Sequence, residues 1–170
     1  MFGEYGVEYG GYIYIVTNST YYAQINGNGT IGVWTSTTSM GWGSTLVAYN
    51  GYIYRIGGNN TPGVNYASIN SNGSLGVLNT AISLPDSYLN NETAVEYGGY
   101  IYVMGGSVQN AGSSISTVDY SQIQGNGSLG QWVSVTSLPQ ALEQATSIEY
   151  GGYIYEIGGF VTGDSSFSSV

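Results

Sequence analysis

Apolar and polar residues alternate in short runs along the chain, and Gly, Asn, Ser or Pro closes each run. A period of two places successive side chains on opposite faces of a strand. The stretch 45–81 shows this best. Thr45–Tyr49 reads as a first strand, and Asn50-Gly51 as the tight turn after it. Tyr52–Ile56 is the second, with Tyr52 and Tyr54 on one face and Ile53 on the other. Gly57-Gly58 ends that strand. A third is expected over 64–69, a hairpin at Asn72-Gly73, and a fourth over 76–81. No stretch keeps a 3.6-residue apolar period over the length of a helix, so the chain is predicted to be all-β.

The same unit recurs. Tyr-Ile-Tyr, led by Gly-Gly or Asn-Gly, begins at Tyr12, Tyr52, Tyr100 and Tyr153, giving spacings of 40, 48 and 53 residues. A second block confirms the phase. Asn26-Gly-Asn28-Gly-Thr-Ile-Gly32-Val-Trp34 returns as Asn70-Ser-Asn72-Gly-Ser-Leu-Gly76-Val-Leu78, and again as Gln124-Gly-Asn126-Gly-Ser-Leu-Gly130-Gln-Trp132. A period of this size marks one supersecondary unit copied along the chain, here four short strands joined by turns.

Four-stranded repeats with Tyr52-Ile-Tyr-Arg-Ile-Gly57-Gly58, Tyr100-Ile-Tyr-Val-Met-Gly105-Gly106 and Tyr153-Ile-Tyr-Glu-Ile-Gly158-Gly159 resemble the kelch family of β-propellers. The Asn-Gly-Ser-Leu-Gly-x-Trp block, followed by Leu84-Pro85 or Leu138-Pro139, is similar to a variant of prokaryotic kelch proteins. Thr17-Asn18 replaces the first Gly-Gly and Leu78 replaces the second Trp, so the first blade is expected to be less regular. The resemblance implies three complete blades, at about 2–40, 43–85 and 91–139, plus a partial fourth over 145–170. Propellers close with about 4 to 8 blades, and repeat architectures do not leave an end unit's apolar face in water. Three arrangements meet that need. Missing sequence completes the ring, copies complete it by self-association, or a small strained ring closes.

Composition narrows the partners. Only 6% of residues are charged, against about 25% in an ordinary soluble domain. The net charge is -9 and Arg55 is the only cation. Nucleic-acid backbones are neutralised by Lys and Arg, so no nucleic-acid partner is expected, and no membrane insertion, since no apolar run approaches the length of a spanning helix. The start Met1-Phe-Gly-Glu-Tyr5 has neither a cationic segment nor an apolar core, so no signal peptide is expected in this chain; for an extracellular protein the export signal would lie outside this sequence or have been removed.

His and Cys are both absent. That removes Ser-His and Cys-His nucleophile pairs and the usual zinc, haem and copper ligand sets; no cofactor is expected. Carboxylate pairs, as in glycoside hydrolysis, are the catalytic chemistry left. Glu8, Glu96 and Glu149 occupy one repeat position, just before Tyr-Gly-Gly, and Ala48 breaks the set. They read either as part of an acidic ring able to hold a cation or polyol, or as solvated residues beside a turn. Asn28, Asn72 and Asn126 only faintly resemble calcium loops, because no Asp or Glu accompanies them. Six Asn-x-Ser/Thr sequons, at Asn18, Asn28, Asn59, Asn72, Asn91 and Asn126, are candidate glycosylation acceptors.

The repeated tyrosines are expected to fill space between blades, with hydroxyls at a polar rim. Trp42, between the first two units, is the aromatic best placed to touch a partner. Arg55 and Glu156 share one repeat position. The expectation is a non-catalytic binding or structural module. Its partner would be a protein or neutral glycan, at a cell surface or in a secreted assembly. The alternative is part of a glycan-active propeller enzyme whose remaining site residues lie outside this chain.

Overall fold

The computed structural model describes residues 5–43, 45–58, 60–85, 90–108 and 113–162. These residues hold strands and turns and no helix. The first sheet is an antiparallel meander of β1 (Tyr5–Tyr9), β2 (Tyr12–Val16), β3 (Thr20–Gln24) and β4 (Thr35–Thr37). The second repeats it with β5 (Thr45–Tyr49), β6 (Tyr52–Ile56), β7 (Val64–Ser68) and β8 (Asn79–Thr80).

In the third unit β9 (Thr93–Tyr97) and β10 (Tyr100–Met104) are followed by a small hairpin, β11 (Ser107–Val108) with β12 (Ser113–Ser114). The meander then resumes through β13 (Val118–Gln122) and β14 (Val133–Ser134). This insertion, which the alternation did not reveal, lengthens the third spacing. A fourth hairpin pairs β15 (Glu143–Tyr150) with β16 (Tyr153–Phe160). The third strand expected near the C-terminus lies outside the described residues.

Register follows the repeat. Tyr49 pairs with Tyr52, Tyr97 with Tyr100 and Tyr150 with Tyr153, across turns whose two central residues both have positive φ. Asn50 (φ 47°) and Gly51 (φ 80°) form one of them. Left-handed angles at both positions match the twist of the flanking strands, so Asn-Gly and Gly-Gly are the residues found there.

Two expectations are corrected. The fourth strand of the second unit is only Asn79–Thr80, because Gly76 stays folded over the hairpin and its amide bonds to the Ser68 carbonyl (2.8 Å). The first unit is as complete as the others. Thr17 turns the chain tightly, its amide meeting the Ser19 carbonyl (2.9 Å), so β2 runs into β3 without the glycine pair.

The core lies between sheets. One cluster joins Tyr14, Val16 and Met40 of the first unit to Leu46, Ile53, Ala67 and Leu75 of the second. Another joins Val47, Tyr54, Ile56 and Val64 of the second to Ala94, Ile101, Val103 and Leu129 of the third. The first strands of successive units also adjoin, β1 beside β5, β5 beside β9 and β9 beside β15. Both clusters therefore span two successive units.

Candidate functional site

The three repeat-equivalent carboxylates serve their own turns. Gly11 donates its amide to Glu8 Oε1 (3.1 Å), Gly99 to Glu96 Oε1 (2.8 Å) and Gly152 to Glu149 Oε1 (3.1 Å). In the second unit, where Ala48 stands, the Gly51 amide bonds instead to the Tyr9 hydroxyl of the preceding unit (2.8 Å). The break in the set is thus filled from next door. Each of these side chains satisfies a turn amide, so the arrangement supplies no convergent acidic cluster; no group of three ligating residues exists among the described residues.

The Asn hairpins are also self-contained. Asn72 Oδ1 accepts from the Ser74 amide (3.1 Å) and hydroxyl (2.7 Å), and Asn28 and Asn126 do the same with Thr30 and Ser128. These oxygens hold the turn in the manner of local side-chain to backbone bonds.

Arg55 is buried and built into the fold. Its Nη1 donates to the carbonyls of Trp42 and Gly57 (3.0 Å for the latter), and its Nη2 to Asn65 Oδ1. Burial pulls the guanidinium below its usual range, and the Glu92 carboxylate, itself buried, pushes it back. Trp42, whose carbonyl anchors Arg55, leaves much of its side chain exposed beside this cluster. Glu143 is buried too, accepting from Asn91 Nδ2 (2.8 Å), Ser114 Oγ (3.3 Å) and Thr162 Oγ1. The chemistry of Glu92 and Glu143 escaped sequence reading because both precede or open a strand, where alternation gives no signal.

At Glu156 both carboxylate oxygens are buried without a hydrogen bond, and desolvation raises its pKa from 4.5 to about 7. It shares a repeat position with Arg55, yet the charge near Arg55 is Glu92.

Tyrosines form the joints between units. Tyr14 donates its hydroxyl to the Gly73 carbonyl in the next unit's hairpin (2.9 Å), and Tyr54 donates to Gly127 (2.9 Å). Both hydroxyls are held protonated by burial, Tyr14 up to about 12 and Tyr54 further. The rings of Tyr12 and Tyr52 lie flat against those glycines, where a Cβ would approach to 2.5 Å. The hairpin's aliphatic residue then enters the core: Leu75 and Leu129 are each 5% exposed. In the first joint, Thr37 and Thr38 bind the Leu75 amide (2.7 Å) and carbonyl (3.1 Å). Trp132 adds an indole bond to the Ile82 carbonyl (3.0 Å). Filling between units, expected for the tyrosines, is what Tyr14 and Tyr54 do.

Among the described residues, both ends of this series carry exposed side chains. Ile31, equivalent to Leu75, is 44% exposed, and no described atom lies within 4 Å of a Cβ on Gly29. At the other end Tyr150, Tyr153 and Tyr155 are 76%, 69% and 45% exposed, and Ile157 lies open beside them.

A scan of family models finds no match, and no curated protein matches. The chain is similar in fold to the solved structure of YjhT, with a TM-score of 0.73 at 11% identity, covering 98% of this chain and 64% of that one. The likeness at that identity is one of fold, and this chain spans about 64% of the length of the structure it matches.

Proposed function

We propose that the chain is a kelch-like β-propeller segment acting as a non-catalytic binding or structural module. It would present its loops to a protein or neutral glycan partner at a cell surface or in a secreted assembly. The observation that carries this reading is how the carboxylates are used. Glu8, Glu96 and Glu149 satisfy turn amides, Glu92 lies beside Arg55, Glu143 sits in a polar cluster, and Asp119 accepts from Ser134. Among the described residues, what faces solvent is mostly uncharged and partly aromatic, Glu8 and Glu149 aside, with Tyr21, Trp34 and Trp42 among its exposed rings. Flat rings and uncharged polar groups suit a neutral partner better than an ionic one.

The test is a binding screen against neutral glycans and candidate surface proteins, with Glu96→Gln/Glu149→Gln and Trp42→Ala variants beside the parent. Binding that survives the double carboxylate change and weakens about tenfold or more in Trp42→Ala supports the module. Turnover of a glycan that the double change abolishes would replace it with the enzyme reading.

A further inference from the structure

We propose that Asn26 is a modification site of this chain, at which the Gly27 backbone nitrogen displaces the side-chain amide and water then leaves aspartate or isoaspartate. Asn is a thermolabile residue. Gly after it favours the reaction, because Gly carries no side chain to obstruct the turning backbone. Five Asn-Gly pairs occur, at Asn26, Asn28, Asn50, Asn72 and Asn126.

The chemistry balances within the chain and water. A bond forms from the glycine nitrogen to the Asn Cγ, and the bond from Cγ to the side-chain nitrogen breaks. That nitrogen leaves as ammonia, taking the proton the backbone amide gives up. Water then opens the five-membered ring at either carbonyl. An amide whose hydrogen is held by an acceptor keeps its proton and its peptide plane, and reacts only when the local structure opens.

Four of the five glycine amides are held. Gly29, Gly73 and Gly127 donate to the carbonyls of Asn26, Asn70 and Gln124 (2.9 Å each), and Gly51 donates to the Tyr9 hydroxyl (2.8 Å). The side-chain oxygens of Asn28, Asn72 and Asn126 are pinned as well, by Thr30, Ser74 and Ser128. Gly27 differs. Its amide has no acceptor among the described residues, and no described atom lies within 4 Å of a Cβ there. Asn26 itself is exposed, with its Nδ2 donating to Thr30 Oγ1 (2.9 Å).

This openness belongs to the hairpin and not to its place in the chain. Ser71 and Gly125 hold the same turn position in the two hairpins that tyrosines cover, and both are exposed. Their chemistry is slower. Ser71 interposes a side chain, and Gln124 before Gly125 would close a six-membered ring. Isoaspartate at 26 would insert a backbone carbon between the two bonds that close the hairpin, Asn26 amide to Thr30 carbonyl and Gly29 amide to Asn26 carbonyl (2.9 Å each). Either product adds a negative charge to a chain already at -9.

The experiment is peptide mapping by mass spectrometry on the full chain incubated in mildly alkaline buffer, with and without urea. In the folded chain Asn26 should be modified about tenfold or more faster than the other four pairs. Urea should raise the rates at those four by a similar factor and change Asn26 least. Tyr9→Phe, which removes the acceptor of the Gly51 amide, should bring Asn50 up about tenfold while Asn72 and Asn126 stay slow.

Folded-state modification spread evenly over the five pairs, or concentrated at another of them, overturns the assignment. So does an Asn26 that stays intact when folded and reacts only in urea. An Asn50 rate unchanged in Tyr9→Phe would show that the amide bonds do not set the order. If Asn72 and Asn126 rise with Asn50, the variant has opened the fold, and the urea comparison on the parent decides.

Discussion

At the residue scale, Glu156 is a carboxylate that desolvation alone holds protonated. A carboxylate buried without partners holds its proton, because the charged form loses water and gains nothing in return. The unfolded chain releases that proton near pH 4.5, whereas the folded chain keeps it to about 7. The unfolded state therefore binds fewer protons in this window, and stability falls as pH rises through it. The expected loss is about 2 kcal/mol between pH 4.5 and 7, discounted for the partial exposure of the residue. Glu156→Val, which copies the Val103 of the preceding unit, should remove that slope in urea melts recorded across the window and raise stability at pH 8. A variant whose slope matches the parent would place the titration elsewhere. Arg55, at the same repeat position, is the opposite case. It has hydrogen-bonded carbonyls and a facing carboxylate, and its replacement by Met should cost about 3 kcal/mol through the buried Glu92 it leaves uncompensated. A denaturant midpoint close to the parent's would argue that the pair is dispensable.

At the scale of elements, the Asn-Gly hairpins are identical in sequence logic and unequal in context. Gly29, Gly73 and Gly127 all have φ close to 80°, a conformation that costs any other L-residue about 1 kcal/mol or more. Gly29→Ala should cost that much and little else. Gly73→Ala also drives a methyl group into the Tyr12 ring and should cost about 3 kcal/mol. Equal melting temperatures for the two variants would show that the ring does not hold its place. Much of this architecture was legible beforehand, because strand alternation and turn residues act over a few neighbours. Tyr52–Ile56 and its Asn50-Gly51 turn fell where the pattern put them. The β11–β12 hairpin did not, since its Ser-rich strands carry no apolar alternation. Nor did the exposure of Tyr153 and Tyr155, which match Tyr52 and Tyr54 letter for letter. Burial there depends on whether another unit lies against them, and a repeat motif is silent about its neighbours. The turn carboxylates were visible as a set, whereas the reason Ala48 is tolerated needed the Tyr9 hydroxyl in place.

At the scale of the molecule, stability is held in the joints. Each core cluster spans two sheets, as in repeat proteins whose stability is approximately a sum of unit and nearest-neighbour terms. Tyr14→Phe and Tyr54→Phe each leave a hairpin carbonyl without its buried donor, at a cost of about 1–2 kcal/mol. Because the two joints are separate, the double variant should lose the sum, measurable by denaturant titration. A loss much smaller than the sum would mean that the joints are coupled.

The tyrosine hydroxyl bonds to the hairpin glycines both point one way along the chain, from the second strand of one unit to the hairpin of the unit that follows it. Protein synthesis runs in the same direction. Each pair of tyrosines therefore emerges from the ribosome before the hairpin that covers it, and a lengthening chain always carries an aromatic face awaiting its cover. A pause in translation just after a Tyr-Ile-Tyr segment would prolong that exposure, and one just after an Asn-Gly-Ser-Leu hairpin would shorten it. Synonymous codons that slow elongation should thus affect the yield of folded protein differently at these two points of the same repeat.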